Sequence, residues 1–187
     1  MGKIIRDGNV ISTYNYEKTV DQSDFITMIT RPANTNIVVP EGVEKIGDYA
    51  FYNYTTLKEI SLPDSITSIG NSAFARCFDM SLTGNKLPKN LTSIGDSTFL
   101  DAQKIIIEDM PLGLTSLPQY AFYECTSLTK LKLNSVTSLG DSCFSYCKNL
   151  TDVEFGDNFT TIKSAAFRGT NLSQVTLPTG GMAIPRN

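Results

Sequence analysis

The sequence predicts an α/β solenoid of about six stacked units of 22–25 residues, each with short parallel strands and a short helical turn, behind an N-terminal cap. Three observations predict it. A phenylalanine recurs at Phe51, Phe74, Phe99, Phe122, Phe144 and Phe167, with spacings of 23, 25, 23, 22 and 23. An apolar pair three apart precedes each one: Val43/Ile46, Ile66/Ile69, Leu91/Ile94, Leu114/Leu117, Val136/Leu139 and Phe159/Ile162. The whole stretch 43–63 (VEKIGDYAFYNYTTLKEISLP) matches itself along the chain. A unit this small cannot bury its apolar face alone, so it stacks on copies of itself.

Each part of a unit has a physical reading. Val43 and Ile46 belong to a first short strand. Gly47, Gly70, Gly95 and Gly140 follow it and are expected at positive φ, where glycine is free of steric cost. Asp48, Asn71, Asp96, Asp141 and Ser164 come next and suit the cap of a short helix. The Ala-Phe pair then lies in that helix, with Phe filling the rung. Leu57, Ile60 and Leu62 form a second strand, which Pro63 ends because proline cannot donate the next ladder hydrogen bond. Parallel pairing of rungs gives a rise of about 4.8 Å each.

Residues 1–36 do not fit the repeat. Ile4, Ile5, Val10 and Ile11 around Asp7-Gly8 predict a hairpin, and residues 20–30 predict a short helix. The region is expected to cap the first rung, and residues 37–187 to form the solenoid. Ile37-Val38-Val39-Pro40 matches Ile60-Ser61-Leu62-Pro63 as a half-unit. Met182 and Ile184 suggest a frayed half-rung at the other end, with no C-terminal cap. The expectation is that the natural chain continues past Asn187 or that this apolar end self-associates.

Composition narrows function. Net charge is −3, so no bulk field attracts nucleic acid. No apolar run approaches the roughly 20 residues that span a bilayer. There is no histidine, which excludes Ser-His-Asp and Cys-His catalysis and imidazole metal ligands. Asp152/Glu154 lie on a strand face, whereas a glycosidase needs carboxylates facing each other across a cleft. The reading is therefore non-enzymatic, with no cofactor and no metal.

Ile69-Gly70-Asn71-Ser72-Ala73-Phe74-Ala75-Arg76-Cys77 and Ala121-Phe122-Tyr123-Glu124-Cys125-Thr126-Ser127-Leu128-Thr129-Lys130-Leu131-Lys132-Leu133 resemble BspA-type leucine-rich repeats. The resemblance covers about residues 37–181. It implies a leucine-rich-repeat solenoid that is secreted or displayed on the surface of bacteria or some protists, with roles in adhesion and host-protein binding. It brings no catalytic residues. Three cysteines, Cys77, Cys125 and Cys147, occupy the family's Cys slot after Phe, and Cys143 replaces Ala. They read as buried free thiols, as a Cys125–Cys147 disulfide between neighbouring rungs, or as a weak metal pattern.

The chain departs from the pattern in two adjacent units. The second carries two extra residues, placed around 78–83, and Asn85 and Glu108 fall where Ile60 sits. Either a local bulge turns both outward, or they form a ligand site within the sheet.

The expected binding face is the outward side of the second strands: Lys58, Glu59 and Ser61; Lys130 and Lys132; Asp152 and Glu154; Gln174 and Thr176. Lys130 beside Asp152 and Lys132 beside Glu154 would pair across rungs. Tyr52, Tyr54, Tyr123 and Tyr146 mark the short-helix ridge, too widely spaced for one patch. Sequons at Asn53, Asn90, Asn149, Asn158 and Asn171 follow from the repeat template, and Leu177-Pro178-Thr179-Gly180-Gly181 misplaces the threonine of a sortase signal. The sequence thus points to an extracellular module binding a protein or glycan ligand, its leader removed, or alternatively to a spacer, stalk or scaffold.

Overall fold

The computed structural model describes residues 2–6, 9–14, 19–20 and 35–176, and side chains from Asn36 onward except Gln174. Strands β1 (Gly2–Arg6) and β2 (Asn9–Tyr14) pair antiparallel as a hairpin, as their sequence suggests. β3 (Thr19–Val20) is a strand, so Val20 does not start a helix; the rest of the expected helix, at 21–30, lies outside the described residues. β4 (Thr35–Val38) is the half-unit, and it pairs antiparallel with β1.

Six rungs follow. Their first strands are β5 (Lys45–Ile46), β7 (Ser68–Ile69), β9 (Ser93–Ile94), β10 (Ser116–Leu117), β12 (Ser138–Leu139) and β14 (Thr161–Ile162). Their second strands are β6 (Leu57–Ser61), β8 (Ser81–Leu82), β11 (Lys130–Lys132), β13 (Asp152–Glu154) and β15 (Gln174–Thr176). Pairing between rungs is parallel and in the register of the repeat: Ile37 faces Ile60, and Ile46 faces Ile69. The third rung has no second strand, only a bridge from Asp109 to Lys132. Both strand ladders are therefore interrupted mid-chain: β9 does not pair with β10, and β8 has no neighbour on its far side.

Two columns are not interrupted. The six Phe rings stack with centroids 5.0, 5.4, 5.2, 5.4 and 5.5 Å apart and interplanar angles of 5–15°. Phe51 through Phe144 are fully buried, while Phe167 in the last rung is partly buried. Burying one such ring stabilises the fold by roughly 1.5–3 kcal/mol. The second column is backbone. At every junction the N–H groups two before, at and two after the Phe donate to the next rung, as Tyr49, Phe51 and Asn53 do to the carbonyls of Asn71, Ala73 and Ala75, each at 2.8 Å.

That backbone column replaces the expected helical turns. Among the described residues the only helical segment is a 3-10 turn, Thr83–Asn85. An α-helix would direct each N–H back along its own axis. Here the residues two before and two after each Phe have positive φ: Tyr49 and Asn53, Ser72 and Arg76, Ser97 and Asp101, Tyr120 and Glu124, Ser142 and Tyr146, Ala165 and Gly169. The alternation swings the N–H groups out to the neighbouring rung. No β-branched residue occupies these positions, in keeping with their intolerance of φ > 0.

The glycine reading changes accordingly. Gly70, Gly95 and Gly140 are not at positive φ. They are required by close approach: a Cβ on Gly70 would sit 2.6 Å from the Asp48 backbone nitrogen, and one on Gly140 2.4 Å from that of Gln119. The polar residues that follow are not helix caps either. Asp48 Oδ1 accepts from the Asn71 N–H at 2.7 Å, Asn71 Oδ1 accepts from the Asp96 N–H at 2.8 Å, and Gln119 Nε2 donates to Asp96 at 2.9 Å. Acid and amide alternate along this column, so no two carboxylates are adjacent from Asp48 to Gln119.

Replacing Phe122, in the middle of the ring stack, by Ala is expected to cost about 3–5 kcal/mol. Urea unfolding checks this; an unchanged midpoint would remove the stack from its supporting role.

Candidate functional site

The expected binding face divides in two. On its N-terminal side the side chains already engage one another. Lys58 Nζ lies 2.7 Å from Asp79 Oδ2, and that hydrogen bond, with the lysine's charge, holds the Asp79 carboxyl below its ordinary value. Glu59 Oε1 accepts from Thr83 Oγ1 at 2.8 Å. Ser61 lines a neighbouring hollow with Pro40, Asp64, Thr83 and Lys86.

The two irregular units create the division. β8 places Leu82 opposite Ile60, and residues 83–86 then loop outward before Leu87 re-enters the core. The extra residues thus sit at 83–86, not around 78–83. Asn85, at positive φ in this loop, is exposed. In the third rung Ile105 and Ile107 point inward and Glu108 and Asp109 outward, so the alternation slips by one residue. An unpaired carboxylate would be costly inside, and a bulge is the smaller penalty. Both irregular residues face outward.

Beyond the bulge, Glu108, Asp109, Lys130, Lys132, Asp152 and Glu154 surround Leu131 in a depression of roughly 170 Å³. Four of the residues the repeat singles out as binding candidates meet here, joined by two from the irregular rung. Register sets Lys130 against Asp152 and Lys132 against Glu154, with Asp109 on the other side of Lys132. Among the described residues, however, none of the six takes part in an ion pair within 4.0 Å. The group is a set of charged ends held apart, four carboxylates against two ammonium groups. No set of three or more ligating side chains among the described residues could hold a metal. Asp152 and Glu154 stand in register with Gln174 and Thr176 of the last strand, where Thr176 is exposed.

The Phe-bearing turns carry a different surface. Tyr54 does not belong to it: it is buried in the slot that holds Cys in other rungs. Tyr120, Tyr123 and Tyr146 do, and they form one row rather than isolated rings, with Tyr120–Tyr123 at 5.8 Å and Tyr123–Tyr146 at 5.5 Å. Arg168 extends the row, its guanidinium 5.9 Å from the Tyr146 centroid. Sequence spacing missed this continuity because Tyr123 and Tyr146 occupy different slots of the turn. Beside the row, burial and the neighbouring Asp101 carboxyl push Glu124 above its usual range.

The cysteines are buried thiols. Cys77, Cys125 and Cys147 each donate a thiol hydrogen bond to the Phe carbonyl of the preceding rung, at 3.0–3.1 Å. Burial pushes the Cys125, Cys143 and Cys147 thiols up, making them weaker acids, Cys147 to about 12. The Leu177–Gly181 signal and the residues Met182 and Ile184 lie outside the described residues.

A family model for the BspA type leucine rich repeat region, in six copies, matches residues 30–106 and 78–187. Comparison with curated proteins finds no match. Among solved structures, a leucine rich cell surface protein of Faecalibacterium prausnitzii is 28% identical with a TM-score of 0.63, over 76% of this chain and 46% of that one. A leucine-rich repeat protein of Bacteroides ovatus is 29% identical with a TM-score of 0.67, over 76% of this chain and 37% of that one. The chain spans less than half the length of either.

Two outcomes follow from the site's electrostatics. The thiols are expected to resist iodoacetamide at pH 8 in the native protein and to take four adducts in denaturant, read by intact mass. Glu124 binds its proton more tightly folded than unfolded, so stability should fall as pH rises from the ordinary carboxylate range through its raised value. Glu124→Gln should flatten that part of a melting-temperature profile; an unaltered profile would place the titration elsewhere.

Proposed function

This chain belongs to the BspA-type leucine-rich repeat proteins, and on that premise we propose that it is a non-catalytic, protein-binding module of a bacterial cell surface. Its repeat domain is of the kind present in surface leucine-rich repeat proteins. Among the described residues no helix is long and apolar enough to cross a membrane. Residues 1–36 act as the cap of the first rung in this reading, consistent with β1 pairing to the half-unit strand.

The ligand is an extracellular protein held on the outward side of the second strands. One observation carries this placement: six charged side chains around Leu131, from three consecutive rungs, have no ion-pair partner among the described residues. Lys58 and Glu59, by contrast, are engaged within the chain. Charges left unmatched on a rigid sheet are available to a complementary partner at little ordering cost. The excess of carboxylates favours a partner surface bearing lysine and arginine.

Biolayer interferometry against purified fibronectin, laminin, fibrinogen and mucin tests the reading. Reversing Asp152 and Glu154 together to Lys should weaken the binding found by about tenfold or more, while Glu59→Lys should change it by less than about threefold. Equal affinities for the wild type and the double reversal would move the binding surface away from the strand face.

A further inference from the structure

We propose that the turn ridge of the fourth to sixth rungs is a second, separate binding site, taking a neutral oligosaccharide across Tyr120, Tyr123 and Tyr146. The same repeat builds two aromatic columns with opposite geometry. The Phe rings lie within 15° of parallel, so each inner ring has both faces covered. The tyrosines meet edge to face, at 66° and 73°. An edge-to-face contact covers one face of one ring only, and the row stays open to solvent, with Tyr120 39% exposed and Tyr123 and Tyr146 half-buried; an accessible ring face is the surface on which the C–H face of a pyranose packs.

The row is held in place. Tyr146 lies against the bare backbone of Gly169, where an added Cβ would fall 2.7 Å from the ring. Gly169 is also at positive φ, where a side chain would add strain to the clash. Arg168 fixes the outer end of the row over the Tyr146 ring. A platform ordered before binding loses little freedom on binding.

The surrounding polar groups choose the ligand class. Asp101 and Glu124 fill the same slot of consecutive rungs, with Tyr123 next to Glu124 in the chain. Arg76 occupies the slot before Asp101 in the same backbone column, Lys148 faces Glu124, and Arg168 closes the end. Two carboxyls and three cations leave no strong net sign. A basic peptide would meet the cations and an acidic one the carboxyls. A hydroxyl is both donor and acceptor and is satisfied by either.

This surface shares no residue with the strand-face depression, so the two sites can be tested apart. Cellopentaose, maltopentaose and chitopentaose are the probes, read by the change in intrinsic tyrosine fluorescence and by saturation-transfer NMR on the whole chain. At least one is expected to bind the wild type. Tyr123→Ala and Tyr146→Asn should each weaken it by about tenfold or more, with Asn chosen because it tolerates positive φ. The Asp152/Glu154 reversal should leave it unchanged. Melting curves of both tyrosine variants ensure that a loss reports binding; should one variant unfold, the other decides. Absence of binding by all three sugars, undiminished binding in a folded tyrosine variant, or a ridge that captures only charged peptides would each overturn the proposal.

Discussion

The fold rests on the hydrogen bonds that leave each Phe-bearing turn for the next rung. Three cross every junction, and they run without a gap from Tyr49 in the first rung to Arg168 in the sixth. Neither strand ladder does so. Because these N–H groups are committed between rungs, they cannot close a helix within one. Positive φ on both sides of each Phe follows, and with it the exclusion of β-branched residues. The Phe stack then adds burial along the same line. Side chain and backbone thus tie the rungs together at one edge of the molecule.

This arrangement makes the third rung tolerable. Its second strand is lost, and Glu108 stands where an aliphatic residue would otherwise turn inward. In a sheet protein such a lapse would threaten the register of everything after it. Here Phe99 still stacks at 5.4 and 5.2 Å on its two neighbours, and Ser97, Phe99 and Asp101 still donate to the fourth rung. Register is reset at every turn. The strand face is consequently the part of each rung that can depart from the template at least cost, and the two departures stand at the N-terminal border of the region where unmatched charges collect.

Periodicity revealed the stacking, because a buried Phe recurring every 22–25 residues leaves a trace in the sequence whatever conformation surrounds it. It also located Lys130, Lys132, Asp152 and Glu154 on one face, since their register follows from the repeat. Local conformation was less legible. Ala-Phe after Gly-Asp looks like a capped helix, because a helix and a chain of left-handed and right-handed residues place the same residue types near the same turn. The glycine was rightly singled out for the wrong reason: crowding by the next rung is a tertiary fact and carries no local signal. Tyr54 was misplaced because its slot holds Cys77, Cys125 and Cys147 elsewhere, and only that alignment, not its aromatic character, reports burial. The tyrosine row was missed because its members come from different slots.

A division of labour between slots follows from these contacts. Residues that hold the stack are fixed by volume and by backbone geometry, and they are nearly all buried. The outward slots carry almost none of that load; their exposed charges contribute roughly 0–1 kcal/mol per pair even when they meet. Substitution there is constrained by a partner or by nothing. The contrast between Lys58, paired with Asp79, and Lys130, facing Asp152 without contact, then acquires meaning. Lys58 aligns with Thr129 and Lys130 with Glu59, so the two lysines stand in neighbouring outward slots of the second strand, and either arrangement is nearly neutral for folding. Stability alone does not explain why charges are matched on one side of the irregular rungs and held apart on the other. A ligand on the second side would, because it supplies the matching charges that the chain itself withholds.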